Sequence, residues 1–159
     1  MATWGEFESE AGELAGEVRA AFGRHKHLVL GTLRRDGSPR LSGTEVTIGL
    51  GELWVGMMAN GVKSRDLRRD PRFGLHSAPL DVEMSDGDAK LSGTAHEVVD
   101  REVLAEFWGL LGQETVPGPE EALVFRLELL DASVATVVGQ EMVIDAWRAG
   151  AEPWQIRRT

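Results

Sequence analysis

The sequence predicts a mainly β, α+β protein in which six or seven short antiparallel strands close a small barrel, with one helix ahead of them and two inserted. Three observations carry this prediction. Short β-rich segments are separated by Asp-Gly, Gly and Pro turn signals, helical periodicity is confined to a few segments, and 19 glycines in 159 residues suit a chain that turns often. Closing the sheet on itself would remove its exposed edges.

The first element is a helix. Thr3 and Glu6 have the spacing of a capping box, and Phe7, Ala11, Leu14, Val18, Ala21 and Phe22 recur at three and four residues, giving one apolar face. Acidic residues lie early and Arg19, Arg24 and Lys26 late, as the helix dipole favours, and Gly23 is a plausible stop. At His27 the period shortens. His27 to Leu33 reads as a strand, Arg34 to Pro39 with its Asp-Gly pair as a hairpin turn, and Arg40 to Ile48 as the return strand. Gly49-Leu-Gly51 turns the chain into a third strand, Glu52 to Met58. Asn60 to Arg69 reads as a short helix ended by Pro71, whose ring disfavours helical geometry at Asp70.

Arg72 to Ala78 and Ala89 to Val99 are the fourth and fifth strands. The tetrapeptide Leu-Ser-Gly-Thr occurs at 41–44 and at 91–94, but the flanks differ and no repeat unit follows. Asp100 caps a helix over 101–111 whose apolar face is Val103, Leu104, Phe107, Trp108 and Leu111. A Pro-containing loop over 112–121 leads to strands at 122–130 and 133–138, and Met142 to Trp147 can add one more. The reading is of one domain, residues 1–159: a helical segment 1–25, a barrel 26–138 and a tail 139–159.

Bulk properties narrow the function. With 42% apolar and 27% charged residues the chain is an ordinary globular protein, long enough to bury a core. It has no cysteine, so neither disulfides nor thiolate metal sites are available. The N-terminus lacks the pattern of a secretory signal, and no apolar run approaches the ~18 residues that span a bilayer, so a cytoplasmic location is expected. A net charge of −9 disfavours nucleic acid and anionic membranes as partners.

Against that charge, Asn60 to Pro71 holds four of the 17 Lys and Arg residues, and Arg72 follows at once. The first-turn amides of a helix point outward without partners and its dipole favours an anion, so Lys63, Arg65 and the Ser64 hydroxyl could hold a phosphate. The same charges could instead form a solvated face, with Arg68 and Arg69 paired to Asp66 and Asp70. Strand glycines Gly43 and Gly56 mark either close approach of a ligand or a bend. His25, His27, His76 and His96 are the groups with ordinary pKa values near neutrality, and His76 could face a cleft. Their spacing builds no metal site, and Asp81, Glu83, Asp86 and Asp88 lack the calcium-loop pattern, reading as a solvated acidic loop. Trp4, Trp54, Trp108, Trp147 and Trp154 suit core or interface positions. No nucleophile–base arrangement is present, which is consistent with a cofactor carrying the chemistry.

The order of Thr32-Leu-Arg-Arg-Asp-Gly-Ser-Pro-Arg-Leu41, Leu53-Trp-Val55 and Lys63-Ser-Arg-Asp-Leu-Arg-Arg-Asp-Pro-Arg72 resembles the pyridoxamine 5′-phosphate oxidase-like flavin-binding split barrels, over about residues 24–138. The resemblance implies a split β-barrel, a homodimer with cofactor at its interface, and an FMN-dependent oxidoreductase acting on a small molecule. It implies that Lys63 and Arg65, with Ser64, hold the cofactor phosphate. The second strand, with Arg40, Leu41, Ser42, Gly43 and Thr44, would line the ring, and Gly56, Met57 and Met58 would add contacts. His76, Trp147 and Trp154 are candidates for the substrate pocket, the tryptophans across a dimer. Alternatives are a deazaflavin (F420)-dependent reductase on the same fold and a non-catalytic flavin- or haem-binding module. Three residues depart from the family pattern: Val62 precedes Lys63 where the oxidase itself has an adjacent basic pair, Glu45 replaces the basic residue that closes its second-strand segment, and Asp66, where many relatives have Asn, places a carboxylate near the phosphate. Together they argue against pyridoxamine phosphate as the substrate.

Overall fold

The computed structural model describes residues 1–78 and 83–159. Its helices are α1 (Trp4–Glu10), α2 (Gly12–Gly23), α3 (Val62–Arg69) and α4 (Arg101–Leu110). Its strands are β1 (Leu28–Leu33), β2 (Pro39–Thr44), β3 (Thr47–Gly49), β4 (Glu52–Met58), β5 (Arg72–His76), β6 (Asp88–Glu97), β7 (Ala122–Val138), β8 (Glu141–Arg148) and β9 (Trp154–Arg158). The α+β, mainly β class is as expected.

All strands pair antiparallel in the order β2-β1-β5-β6-β7-β4-β3, with β8 on β7 and β9 on β8. The sheet curls but does not close: β2 and β3 follow each other in sequence yet end opposite sides of the path. The split leaves two edges where full closure was expected to leave none. It lies beside α3, which packs against β1.

Local chemistry accounts for the elements. The Thr3 side chain accepts from the Glu6 amide while Glu6 returns a bond to the Thr3 amide, completing the capping box. The expected single helix breaks at Ala11, whose φ of −143° is not helical, so α1 and α2 meet at an angle there. In the β1–β2 turn the Gly37 amide donates to the Arg34 carbonyl at 2.9 Å, with Gly37 at φ +83°. Asp100 caps α4 by accepting from the Glu102 and Val103 amides.

Two expected strands near the C-terminus are one: β7 runs unbroken for 17 residues, because Asp131 and Ala132 pair with Arg148 and Trp147 of β8 rather than turning. The irregularity falls on β7 itself: Ser92 pairs with Asp131 and Gly93 with Leu129, so Leu130 is the extra residue of a bulge. Opposite it, a Cβ at Gly93 would lie 1.9 Å from the Glu128 carbonyl oxygen, so only glycine fits there. The additional strand read at 142–147 forms as β8, and the tail beyond it forms β9.

The main core gathers Trp4, Phe7, Val18, Leu30, Leu53, Phe125, Leu127 and Trp147 between α1–α2 and the concave face of the sheet. A smaller cluster of Trp54, Phe107 and Val124 holds α4 on the opposite face. No helix among the described residues is long and apolar enough to cross a membrane.

Candidate functional site

The site is built where the start of α3 meets the free edge of β2. The loop before α3 is folded by its own polar atoms: the Gly61 amide donates to the Met58 carbonyl, and the buried Ser64 hydroxyl lies 2.7 Å from the Gly61 carbonyl and 3.1 Å from that of Ala59. Ser64 is 0% exposed. Its hydroxyl is directed into the loop, and only its amide faces the helix start. No side chain caps α3, and among the described residues the amides of Val62, Lys63 and Ser64 have no backbone acceptor. They form the positive end of the helix dipole.

Lys63 extends from this turn to β2, where its Nζ donates to the Gly43 carbonyl at 2.7 Å. Burial lowers its pKa from the ordinary 10.5, and the nearby Glu45 carboxylate pushes it back up. Glu45 itself lies 3.5 Å from Lys26 and 3.4 Å from the His27 ring, so its charge is shared with a second cation, Lys26. Arg65 is exposed and has no side-chain partner among the described residues.

Asp66 does not face the helix start. Its carboxylate is buried and accepts from Arg40 Nε at 2.6 Å, Arg69 Nη2 at 2.9 Å and Thr32 Oγ1 at 3.0 Å, tying α3 to β1 and β2. Burial alone would raise its pKa, but the bonds from Arg69, Arg40 and Thr32 together lower it. Arg40 is thereby committed to an internal ion pair. Arg68 binds Glu97 with two bonds of 2.6 Å rather than an α3 carboxylate, and Arg72 pairs with Asp70. The expectation of pairing holds for Arg69, through Asp66, and for Arg68 with a different partner.

Strand alternation sorts the remaining candidates. Along β2, Ser42 and Thr44 turn inward with Arg40, while Leu41 and Gly43 face out, Leu41 at 75% exposure. At the end of β4, Met57 points into the core at 6% exposure and Met58 out at 76%. A Cβ at Gly56 would touch the Phe107 ring at 3.5 Å, so this glycine serves the packing of α4. Leu41, Met58 and the half-exposed Val62 thus put apolar surface beside Lys63.

His76 shares a cross-strand row with Gly43 through Val29, and its Nδ1 lies 2.6 Å from the Ser77 carbonyl. Trp147 is buried, its ring 4.5 Å from Phe7, and its Nε1 donates to Glu10; with Trp154 it borders a hollow of about 250 Å³ that Asp131 and Arg148 also line. Trp154 stands on β9, at the far side of the sheet from β2. Asp81 lies outside the described residues, among which no group of three or more His, Asp or Glu residues is placed to hold a metal.

Sequence reasoning missed Thr32, which completes the Asp66 cluster, and the row of Gly31 and Gly74 beside Leu41. The signal for the glycines was their place inside strands. For Thr32 there was none, because its partner is 34 residues away.

The arrangement offers a cationic anchor, free helix amides, an open strand edge and apolar surface side by side. A profile of the family described as pyridoxamine 5′-phosphate oxidase matches residues 14–134. A search of curated proteins finds no match. Among solved structures, a pyridoxamine 5′-phosphate oxidase-related, FMN binding protein from Nostoc punctiforme is similar with a TM-score of 0.64, 10% identity and 96% of both chains covered. A heme binding protein from Mycobacterium smegmatis has a TM-score of 0.67 at 17% identity, over 86% of this chain and 58% of that one. An F420 reductase has a TM-score of 0.55 at 16% identity, over 72% of this chain and 94% of the other. At these identities the likeness is one of fold.

Proposed function

Because the chain belongs to the pyridoxamine 5′-phosphate oxidase family, we propose that it is an FMN-dependent oxidoreductase acting on a small molecule in the cytoplasm as a homodimer. The observation that carries this reading is Lys63, held by the Gly43 carbonyl at the uncapped start of α3. One ammonium group, the Arg65 guanidinium and outward-facing amides there can meet the oxygens of a phosphate. The residues fit such a group because Asp66 is turned away and neutralised, so it does not oppose an anion.

FMN, when bound, supplies the hydride or electron transfer. The chain's own residues would anchor and shield it. Lys63, Arg65 and the amides of Val62 to Ser64 bind the phosphate. The free edge of β2 from Leu41 to Gly43 presents backbone donors and acceptors to a planar heterocycle. Leu41 and Met58 exclude water from it, and a second protomer packed on the same apolar surface would complete the cover. His76, in line with Gly43, is the candidate for substrate contact.

The deazaflavin reading uses the same anchor, since that cofactor also carries a phosphate, and the likeness to an F420 reductase favours keeping it. The visible absorption spectrum of the purified protein separates flavin, deazaflavin and haem. Titration with FMN and with the deazaflavin then tests the anchor. Lys63→Ala is expected to raise the Kd by about tenfold or more, the loss of one charge-assisted bond, while Arg68→Ala leaves it unchanged. Equal affinity in the wild type and in Lys63→Ala would overturn the assignment.

A further inference from the structure

β9 contributes nothing to the core of its own chain. All its residues are exposed, Trp154 at 44% and Ile156 at 38%, and one of its two edges is unpaired. Beside it lies a hollow of about 600 Å³ lined by Glu13, Glu17, Asp145, Glu152, Trp154 and Gln155, with no cation among its lining residues. Glu17 shows the crowding there: burial raises its pKa, and Asp145 and Glu13 raise it further. At the other end of the same strand stand Arg157 and Arg158. Arg157 makes an exposed pair with Glu141, and Arg158 has no side-chain partner among the described residues.

These features complement one another about a single point. We infer that β9 is a self-association strand, pairing antiparallel with β9 of a second copy about Ile156, so that the basic end of each strand meets the acidic hollow of the other. Antiparallel pairing centred on Ile156 sets Ile156 against its own copy, Gln155 against Arg157 of the second copy, and Trp154 against its Arg158. Directly opposed residues share a sheet face. Gln155 already shares a face with Asp145 of β8, so Arg157 of the second copy projects on the side of the hollow. Trp154 shares the other face with Ala146, and there Arg158 of the second copy lies over the indole, a favourable place for a guanidinium. A two-fold axis through Ile156 repeats every contact, so this pairing leaves no free β9 edge, and beside the dimer proposed at the cofactor surface it joins dimers into a larger assembly.

The occupant is a second copy rather than a loose cation or an unrelated peptide because each end of the strand supplies what the other lacks. The inference is independent of the cofactor cleft: Lys63, Arg65 and β2 lie elsewhere in the sheet and are left intact by the substitutions below.

Charge reversal tests it. One variant carries Arg157→Glu and Arg158→Glu, the other Glu17→Lys and Glu152→Lys, all at exposed positions. Each alone is expected to weaken self-association through β9 by about tenfold or more, as the loss of close charge pairs does, read by sedimentation and native mass spectrometry. Mixed in equal amounts the two variants restore one another, because a glutamate pair then meets a lysine pair at one end while the native charges meet at the other. Recovery in the mixture of an assembly larger than either variant forms alone is an outcome that a folding defect, or exchange of subunits at the cofactor surface, cannot produce. A wild type no larger than the dimer of the cofactor surface, a variant that assembles as the wild type does, or a mixture that stays apart overturns the proposal.

Discussion

Asp66 is the residue on which the candidate site turns. A carboxylate on a helix meant to hold an anion is unwelcome in sequence terms, yet in the fold it is 3% exposed and satisfied by Arg40, Arg69 and Thr32. Its removal leaves two guanidiniums without their anion, so Asp66→Ala is expected to destabilise the protein by about 3 kcal/mol, measured by urea unfolding. Its pKa is lowered in the folded state, so its contribution is fully present above the unfolded value of about 3.9 and is lost as pH falls through the folded value. Acid titration of stability should therefore show a loss below about pH 4 that is smaller in Asp66→Asn. Lys63 acts at the other end of the pH scale. Burial depresses its pKa below 10.5, and an anion prefers the protonated form, so cofactor affinity should be present at neutral pH and fall before pH 10.5 is reached. In Lys63→Arg the affinity should persist through that range, because a guanidinium stays charged; a pH series of binding isotherms reads this directly.

At the scale of elements, local signals were legible and long-range ones were not. The capping box at Thr3, the Asp-Gly turn and the Asp100 cap are written within a few residues of each other, and all three form as read. The Asp66 cluster joins residues 26 and 34 positions apart, which no local pattern reveals. The unbroken β7 was hidden for a related reason: Asp131 looks like a turn residue, and only pairing with Arg148 on β8 makes it a strand residue. The irregularity is the extra residue Leu130 on β7, and opposite it, at Gly93, the Glu128 carbonyl occupies the space of a side chain. Gly93→Ala forces β6 and β7 apart at their longest pairing. It is expected to cost about 3 kcal/mol and to lower the thermal midpoint, with far-UV circular dichroism still native at low temperature. Gly43, which has nothing within 4 Å of an added Cβ, should tolerate alanine in the free protein. Any effect of Gly43→Ala on ligand affinity then reports what approaches β2 from outside.

For the whole molecule, the family-level outline could be read from the order of strand, turn and basic helix, while the C-terminal third of the sheet could not. β9 shows no alternation because neither of its faces meets the core, and Trp147 gave no sign of depth because its partners Phe7 and Glu10 lie near the other end of the chain. Those two elements should therefore respond oppositely to removal. Trp147 is fully buried between Phe7 and the sheet, and Trp147→Ala removes a large core side chain at a cost of about 4 kcal/mol, or roughly 10 °C in thermal midpoint for a protein of this size. Deleting residues 153–159 removes only exposed side chains and the β8–β9 hydrogen bonds. The truncated chain is expected to keep its fold with a midpoint within a few degrees of wild type and to lose association through β9. A truncation that unfolds the protein as severely as Trp147→Ala would mean that β9 supports the core of its own chain, against its exposure on both faces.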